Sequence, residues 1–383
     1  MTDVAAGTAP EPLLPDFGGP CLTGVVPALL QQVSGAASST GALPAWIPTP
    51  VIDAAQIVLL VLDGLGARQL EARAPLAPVL SSGLGGTIRS VAPSTTACAL
   101  TSLATGCPPA KHGIIGYRIA VDGEIMNVLS WTLNGRDARM KLPAQEFQQC
   151  PTFPGATQPV SVVTRYDYGP TGFTAAHLGE VALSRWYTPA GLISGVRTAL
   201  GQGAPFVYAY YEGIDKVAHA HGLDDYYDDE LRAVDRLVGD VRSVLPPGAV
   251  LVVTADHGQV HVGGAVEVLE GEIMESVTLL SGEGRFRWLH VREGAIRDVV
   301  AAATQTYSDI AWVRTREQVI DEGWLGPAPS KQVASRLGDI VLVPFEPTAF
   351  MDPADTGELR LAARHGSLTP EEMLIPLLSW PAE

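Results

Sequence analysis

Six residues of this sequence carry metal-binding side chains and stand where a strand is predicted to end or a loop to begin. They are Asp63, Asp215, His219, Asp256, His257 and His365. Carboxylates and neutral imidazoles suit divalent zinc or manganese. Two such ions about 4 Å apart can hold both the attacking and the leaving oxygen of an in-line displacement at phosphorus. With the hydroxyl of Thr96, the set predicts the chemistry of two-metal phosphoester hydrolysis.

Two of the predicted ligand positions follow buried strands. Residues 57–62 form a continuous aliphatic run that ends at Asp63, and residues 249–254 form a second run that leads to Asp256 and His257. Unbroken apolar runs of this length are typical of strands in a parallel sheet covered on both faces. Gly64 allows a sharp turn after the first run, so the Asp63 carboxylate is expected at the carboxyl edge of the sheet.

Of the other ligands, two follow a third apolar run and one precedes a fourth. Asp215 and His219 come after the run 206–211 and are four residues apart, so a helical turn would place both on one face. His365 comes shortly before the closing apolar run 373–378. A single histidine is more often a hydrogen-bonded structural residue than a ligand. Four such segments in this order favour the metal site.

Thr96 lies in a segment that is typical of a short helix. The helix is predicted to begin after Pro93 among hydroxyl residues and to end at Gly106. A plain N-cap without chemistry is the alternative. A hydroxyl at a helix N-terminus, however, sits in a positive field that favours its alkoxide and a nearby phosphate, and a bound metal ion would make it a nucleophile.

These segments together resemble the alkaline phosphatase superfamily, specifically its nucleotide pyrophosphatase/phosphodiesterase branch. The resemblance extends from position 63 to position 378. It rests on Asp63, Pro93-Ser94-Thr95-Thr96, Thr105-Gly106, His112-Gly113, Asp215 with His219, Asp256-His257-Gly258 and His365-Gly366.

The resemblance implies a role for each of these residues. One metal is held by Asp215, His219 and His365, and the other by Asp63, Asp256 and His257 beside Thr96. It makes Thr96 the nucleophile, three residues after Pro93 and ten before Gly106. Members of this branch often carry an asparagine, donating to a phosphoryl oxygen, where this chain has Ala99. The oxyanion donor is therefore left unassigned.

Composition limits the class of ligand and the cellular compartment that we expect. The chain has 383 residues, of which 46% are hydrophobic, and its net charge of −16 disfavours binding to a nucleic acid polymer. Residues 1–10 have neither a basic nor a long apolar stretch, and no other run is long enough to span a bilayer. The four cysteines lack the spacing of a metal site. Four cysteines in a chain of this length also make a disulfide framework improbable. We expect a soluble, cytoplasmic protein that acts on a small phosphorylated nucleotide and not at a membrane.

Apolar runs alternate with helical stretches, which predicts an α/β fold. We expect one catalytic domain over residues 1–383, with a mostly parallel sheet and helices on both faces. Residues 224–245 show helical spacing of apolar residues, and the segment up to Thr49 is expected to wrap over the core. Stretches at about 117–202 and 263–336 contain no ligands and are candidate cap insertions.

Several aromatic residues of these stretches could stack on a nucleobase, although packing in the core or caps is the more common role. They are Trp131, Tyr166, Tyr168, Phe173, Trp186, Tyr187, Trp288, Trp312 and Trp324. His221, His261 and Lys216 lie near ligands and could contact phosphate or be ordinary polar residues.

The chain also resembles actinobacterial members of this branch that hydrolyse cyclic di-AMP, which makes cyclic di-AMP or a related dinucleotide the expected substrate. The alternatives are a nucleotide pyrophosphatase, a phosphomonoesterase, a phosphonoacetate hydrolase and a catalytically silent nucleotide sensor. An intact Thr96 argues against the sensor, because a sensor needs no nucleophile.

Overall fold

A computed structural model describes residues 9–34, 41–169, 171–355, 357 and 360–382. Within them the strands are β1 (Gln56–Leu62), β2 (Leu84–Arg89), β3 (Arg118–Val121), β4 (Glu124–Asn127), β5 (Thr132–Leu133), β6 (Arg136–Asp137), β7 (Ser161–Arg165), β8 (Ala182–Trp186), β9 (Phe206–Tyr211), β10 (Ala249–Thr254), β11 (Val260–His261), β12 (Val266–Val268), β13 (Val277–Glu283), β14 (Phe286–Val291), β15 (Ala311–Thr315), β16 (Ile340–Pro344), β17 (Ala349–Met351), β18 (Ala363–Arg364) and β19 (Leu374–Pro381).

The helices of the described residues are α1 (Val25–Val33), α2 (Ala67–Ala72), α3 (Pro78–Ser81), α4 (Thr96–Thr105), α5 (Pro109–His112), α6 (Ala144–Phe147), α7 (Gly172–Leu178), α8 (Pro189–Gly201), α9 (Gly213–His221), α10 (Asp225–Arg242), α11 (Gly271–Ser276), α12 (Ile296–Tyr307), α13 (Arg316–Asp321), α14 (Lys331–Ala334) and α15 (Pro370–Met373). Short 3₁₀ turns span Leu22–Gly24, Thr49–Asp53 and Ala74–Leu76. No helix of these residues combines the length and apolar character needed to cross a membrane.

A seven-stranded sheet with the order β2-β19-β10-β1-β9-β7-β8 forms the centre of the molecule. The five strands from β10 to β8 are parallel to one another. Strand β19 is antiparallel to both β10 and β2. The sheet is therefore mostly parallel, as the apolar runs predict. The closing run, residues 373–378, contributes the antiparallel strand.

Helices cover both faces of this sheet. Every residue of β10 and every residue of β1 after Gln56 is buried, and side chains alternate between faces along a strand. Helix α10 begins after Asp224, whose side chain accepts a hydrogen bond from the Tyr226 N–H, and its apolar side is buried. Helix α1 packs against β1 and β9, so part of the N-terminal stretch lies on the core as expected. Residues 1–8 and 35–40 lie outside the described residues.

Two smaller antiparallel sheets accompany the central one. Strands β3 to β6 form one of them, and β13, β14, β16 and β15 form the other, which packs with α12 around a second apolar cluster. Of the stretch 117–202, residues 118–137 build the first small sheet, whereas β7 and β8 complete the central sheet. The limits of the cap insertions stay a prediction.

Candidate metal centre and nucleophile

The central strands bring two of the predicted carboxylates to one edge of the sheet. Asp63 follows β1 and Asp256 follows β10, and the two strands run parallel with Val61 opposite Thr254. Asp215 lies in α9, which follows β9 on the other side of β1. The carboxyl ends of neighbouring parallel strands meet at one edge, which is where such folds place their ligands.

Asp63, Asp256 and His257 form one compact, fully buried group whose ligand atoms lie within 4.8 Å of one another. His257 Nε2 is 3.4 Å from Asp63 Oδ1 and 3.4 Å from Asp256 Oδ2. The second oxygen of each carboxylate is occupied, because the Tyr210 hydroxyl donates to Asp63 Oδ2 and the Gly64 N–H donates to Asp256 Oδ1. The remaining oxygens, Asp63 Oδ1 and Asp256 Oδ2, are called the inner oxygens. They accept no hydrogen bond from an N–H or hydroxyl group of the described residues.

Such a cluster is electrostatically unfavourable unless a cation joins it. Burial, reinforced by the charges of Asp256 and Asp215, raises the pKa of Asp63 well above its usual range. Burial also raises the pKa of Asp256, although the nearby His257 opposes this shift. A divalent cation would supply the missing positive charge and fill the inner oxygens, so the residues present fit a metal ion.

Asp215 is the centre of the second group. His219 Nε2 lies 3.3 Å from Asp215 Oδ1, and His365 Nε2 lies 3.7 Å from the same atom. Asp215 and His365 also form a group with His257, whose ring stacks on that of His365 at 3.5 Å between centroids. His257 therefore lies between the two groups. The division of the ligands between two metals, as the resemblance implies it, stays a prediction.

The three histidines are oriented by backbone carbonyls. The Nδ1 atoms of His219, His257 and His365 lie 2.8, 3.0 and 3.0 Å from the carbonyl oxygens of Ala363, Gly258 and Ser94. A carbonyl only accepts, so each Nδ1 carries the proton and each Nε2 offers a lone pair to the cluster. Burial lowers the pKa of His365 well below its usual value, and the other two histidines add to this effect. A neutral imidazole is the form that binds a metal.

Thr96 is the first residue of α4 and lies beside this cluster. Its hydroxyl is 3.2 Å from His257 Nε2, and the residue is half-buried. Thr95 is the extended N-cap residue, is buried, and has a hydroxyl without a hydrogen-bond partner among the described residues. Gly106 ends the helix with φ of 68°, as the sequence predicts. Of the two threonines, Thr96 is the one whose hydroxyl faces the ligands.

Two residues of the centre were not predicted from the sequence. Gln259 is fully buried and donates from Nε2 to Asp215 Oδ1 at 2.5 Å. Tyr210 binds Asp63 from the strand next to β1. Gln259 directly follows Asp256-His257-Gly258, which is the only sequence signal for it. In the sequence, nothing distinguishes Tyr210 from the other residues of its strand.

A pocket with about 760 Å³ of empty space opens beside Asp63, Thr96 and Asp215. Tyr168 and Phe173, two of the aromatic residues from the sequence analysis, line it. The remaining pocket wall comes from Leu100, Leu129, Thr164, Thr171, Thr174, His177, Leu178, Tyr208, Tyr210, Glu212 and Lys216. Burial lowers the pKa of His177 to about 4, so this ring is neutral.

Most of the other aromatic residues pack within the protein. Tyr166 and Tyr187 stack on each other at 4.6 Å. Trp131, Trp186, Trp288, Trp312 and Trp324 are buried. Among the histidines considered for phosphate binding, His221 stacks on Tyr226 and His261 is exposed, and neither lines this pocket. Lys216 lines it while its ammonium is 2.9 Å from Glu212 Oε1.

A second pocket, with about 900 Å³ of empty space, lies on the other side of Thr96. It shares Thr96, Asp215 and Leu129 with the first pocket. Its remaining wall includes Tyr117, His219, Glu283, Arg285, Arg364 and His365. The two pockets therefore meet at the candidate nucleophile.

Solved structures with a similar fold include two kinds of enzyme. Murine ectonucleotide pyrophosphatase/phosphodiesterase 5 matches with a TM-score of 0.65 and 16% identity over 85% of this chain and 87% of its own. Its inactive threonine-to-alanine variant in complex with AMP matches with a TM-score of 0.63 and 15% identity over the same shares. Phosphonoacetate hydrolase from Sinorhizobium meliloti 1021, in complex with phosphonoformate, matches with a TM-score of 0.60 and 21% identity over 87% and 90%.

At these identities the structural matches establish the fold alone. No curated protein matches the sequence significantly. The model of one sequence family, type I phosphodiesterase/nucleotide pyrophosphatase, matches residues 57–368, which contain every predicted ligand and Thr96. The chain therefore belongs to the type I phosphodiesterase/nucleotide pyrophosphatase family, and it is a metal-dependent, phosphoester-hydrolysing enzyme.

Proposed function

We propose that this enzyme hydrolyses a phosphodiester that carries a nucleoside-sized group on each side, with Thr96 as its nucleophile. Cyclic di-AMP or a related dinucleotide is the substrate that fits this description. The observation that carries the proposal is the pair of pockets that meet at Thr96, Asp215 and Leu129. A phosphomonoester or a phosphonate would use one pocket at most.

The first pocket has the character of a nucleoside site. Tyr168 and Phe173 supply aromatic side chains, and Thr164, Glu212 and Lys216 supply polar groups. Aromatic rings with a few convergent polar groups are typical of sites that bind bases and sugars. The AMP complex of the murine neighbour supports a nucleotide here.

The second pocket would receive the other half of the diester. Asp215, His219 and His365 line it, and Thr96 lies at its border with the first pocket. In an in-line displacement the leaving oxygen departs opposite the attacking one. The group attached to the leaving oxygen would therefore enter the second pocket when Thr96 attacks from the side of His257.

In the proposed reaction the Thr96 oxygen attacks phosphorus, and the ester oxygen of the leaving half departs. A nucleotidyl-threonine intermediate forms, because the second ester of the diester stays on phosphorus, and water then hydrolyses the bond to Thr96. Zinc or manganese ions held by the six ligands would lower the pKa of the threonine hydroxyl and neutralise the phosphoryl oxygens. The inactivity of the murine neighbour's threonine variant supports a threonine nucleophile.

Ala99 stands where many family members have an asparagine, and its side chain has no hydrogen-bond donor. Its backbone N–H is not available either, because it donates to the Thr95 carbonyl at 2.8 Å within the buried helix α4. The first N–H groups of a helix have no intrahelical acceptors. We assign the backbone amides at the start of α4 as the replacement donors, because they surround the residue that attacks.

The test is a substrate panel of cyclic di-AMP, its linear product pApA, ATP, phosphonoacetate and p-nitrophenyl phosphate, with zinc- and manganese-loaded wild type. We expect cyclic di-AMP to give the highest kcat/KM. Asp256→Asn should lose this activity, because Asp256 Oδ2 is free to bind a metal ion while Asp256 Oδ1 accepts a hydrogen bond from the Gly64 N–H.

Thr96→Ala and Thr95→Ala form a matched pair, because both remove a threonine hydroxyl at the same helix start. We expect Thr96→Ala to lose turnover by about 10³-fold or more and Thr95→Ala to keep most of it, provided that both bind metal as wild type does. Equal losses would contradict the assignment of the nucleophile. Preference for phosphonoacetate or a monoester would refute the diester substrate, and no turnover of any substrate with metal bound would favour a sensor. A cytoplasmic location stays part of the proposal.

A further inference from the structure

Two cysteines that the proposed reaction does not use lie side by side. Cys107 follows Gly106 at the end of α4, and Cys150 follows α6. Each thiol acts on the pKa of the other as a hydrogen-bonding neighbour. The backbone fixes this proximity, because the Phe153 N–H donates to the Ala104 carbonyl at 2.6 Å and so ties the Cys150 segment to the last turn of α4.

Neighbouring contacts hold both cysteines in place. The Gln148 side chain accepts from the Cys150 N–H and donates to the Cys150 carbonyl at 3.0 Å. Gln148 is itself buried and also donates to Ala176 in α7 at 2.9 Å. The Cys107 N–H donates to the Thr105 hydroxyl at 3.2 Å. Two side chains that already touch on fixed backbones lose little freedom when they become covalently linked.

The pair also differs in reactivity from the other cysteines. The hydrogen bond from Cys150 lowers the pKa of the Cys107 thiol to about 7, and Thr105 and Lys111 act in the same direction. The pKa of Cys150 rises because it is the donor of that bond. Both residues are half-buried, so small oxidants can reach them. A thiolate next to a protonated thiol is the arrangement of an attacking and a resolving cysteine.

We infer that Cys107 and Cys150 are a site of reversible disulfide formation. With hydrogen peroxide as the oxidant, the Cys107 thiolate attacks one oxygen and becomes a sulfenic acid while the other oxygen leaves as water. The Cys150 thiol then attacks the Cys107 sulfur, and a second water leaves. Two thiols are oxidised and one peroxide is reduced, and a dithiol reductant restores the pair.

The disulfide would close a loop over residues 108–149, which contains β3 to β6 and the pocket residue Leu129. Thr96 lies at the opposite end of α4, about 15 Å away for a helix of this length. The linkage would therefore stabilise the sheet that carries Leu129 without touching the reacting atoms. It would also restrict the unfolded chain, which stabilises the folded protein.

The experiment compares full-length wild type, Cys107→Ser, Cys150→Ser and a matched Cys21→Ser/Cys98→Ser double variant. Cys21 and Cys98 are buried, so the double variant removes the two thiols that should not react. Each protein is treated with a small excess of hydrogen peroxide. Its thiols are then counted after unfolding, and its peptides are analysed by mass spectrometry.

Wild type should lose two of its four thiols and the mass of two hydrogen atoms, and should yield a peptide that links Cys107 to Cys150. Dithiothreitol should reverse the change. The double variant should lose both of its remaining thiols, whereas the single variants should form no internal link. Wild type, Cys107→Ser and Cys150→Ser should keep kcat within about twofold, and oxidised wild type should melt a few degrees higher than reduced wild type.

Four intact thiols after treatment would overturn the inference. So would a stable sulfinic acid on Cys107 with Cys150 unreacted, or a link between two chains. The single variants separate these outcomes from a folding defect, because their melting temperatures in the reduced state report whether the substitution is tolerated.

Discussion

Tyr210→Phe tests whether the buried carboxylate cluster is a metal site. The Tyr210 hydroxyl is buried and donates to Asp63 Oδ2, and this bond is one of the contacts that favour the ionised carboxylate. A hydrogen bond to a charged group contributes about 1.5–3 kcal/mol. If this hydrogen bond stabilises the ionised carboxylate that binds the cation, removal of the bond weakens metal affinity by about 10- to 100-fold.

Tyr208→Phe is the matched control. Tyr208 lies two residues earlier on β9, lines the same pocket and is also buried, but its hydroxyl has no hydrogen-bond partner among the described residues. Removing that hydroxyl deletes no bond, so metal affinity should stay within about twofold of wild type. The two variants thus lose the same atom from the same strand and differ only in the contact to Asp63.

The assay is competition for zinc with a chromophoric chelator at pH 7.5, supported by metal analysis after gel filtration. Tyr210→Phe should release the more weakly held ion at a lower chelator concentration than Tyr208→Phe does. Equal affinities in the two variants would refute the reasoning, because the hydrogen bond to Asp63 would then have no link to a cation. A loss in both variants would point to the pocket wall and not to the ligand.

Three further predictions concern other parts of the molecule. Gln259→Leu should weaken one of two metal sites by about 10-fold, because the Gln259 amide donates to Asp215 at 2.5 Å, and metal analysis should then approach one ion per chain. Glu372→Gln should lower the free energy of unfolding in urea by about 3–5 kcal/mol, because it leaves Arg285 buried without its bidentate partner at 2.8 Å. The rate of Cys107 alkylation by iodoacetamide should rise through pH about 7, because the pKa of this thiol is about 7, and a midpoint near 9 would contradict that value.

The sequence is sufficient to predict the strand-end carboxylates and the start of α4. Asp63 and Asp256 each follow a run of buried aliphatic residues, and such runs are typical of strands covered on both faces. Thr96 precedes a stretch that ends at a glycine with positive φ. These features are local, so they can be read without knowledge of which strands are neighbours.

The contacts around the ligands depend on strand order, which the sequence does not specify. Tyr210 reaches Asp63 only because β9 is paired with β1, with Val61 opposite Tyr210. Gln259 reaches Asp215 across the same edge. Neither residue type is unusual in its own segment. The two small antiparallel sheets were likewise not predicted. The strands of the first have only two to four residues each.

The ligand cluster bears on the type of reaction, whereas the pocket walls bear on the choice of substrate. The fold that holds the cluster is shared with a nucleotide enzyme and with a phosphonoacetate hydrolase, so the fold does not select a substrate. Asp63, Asp215 and Asp256 come after central strands, whereas the wall residue Leu129 lies between β4 and β5. Leu129 borders both pockets, and its small sheet lies apart from the central one. Under the proposed function, substrate choice can therefore change in that sheet while the chemistry at Thr96 stays fixed.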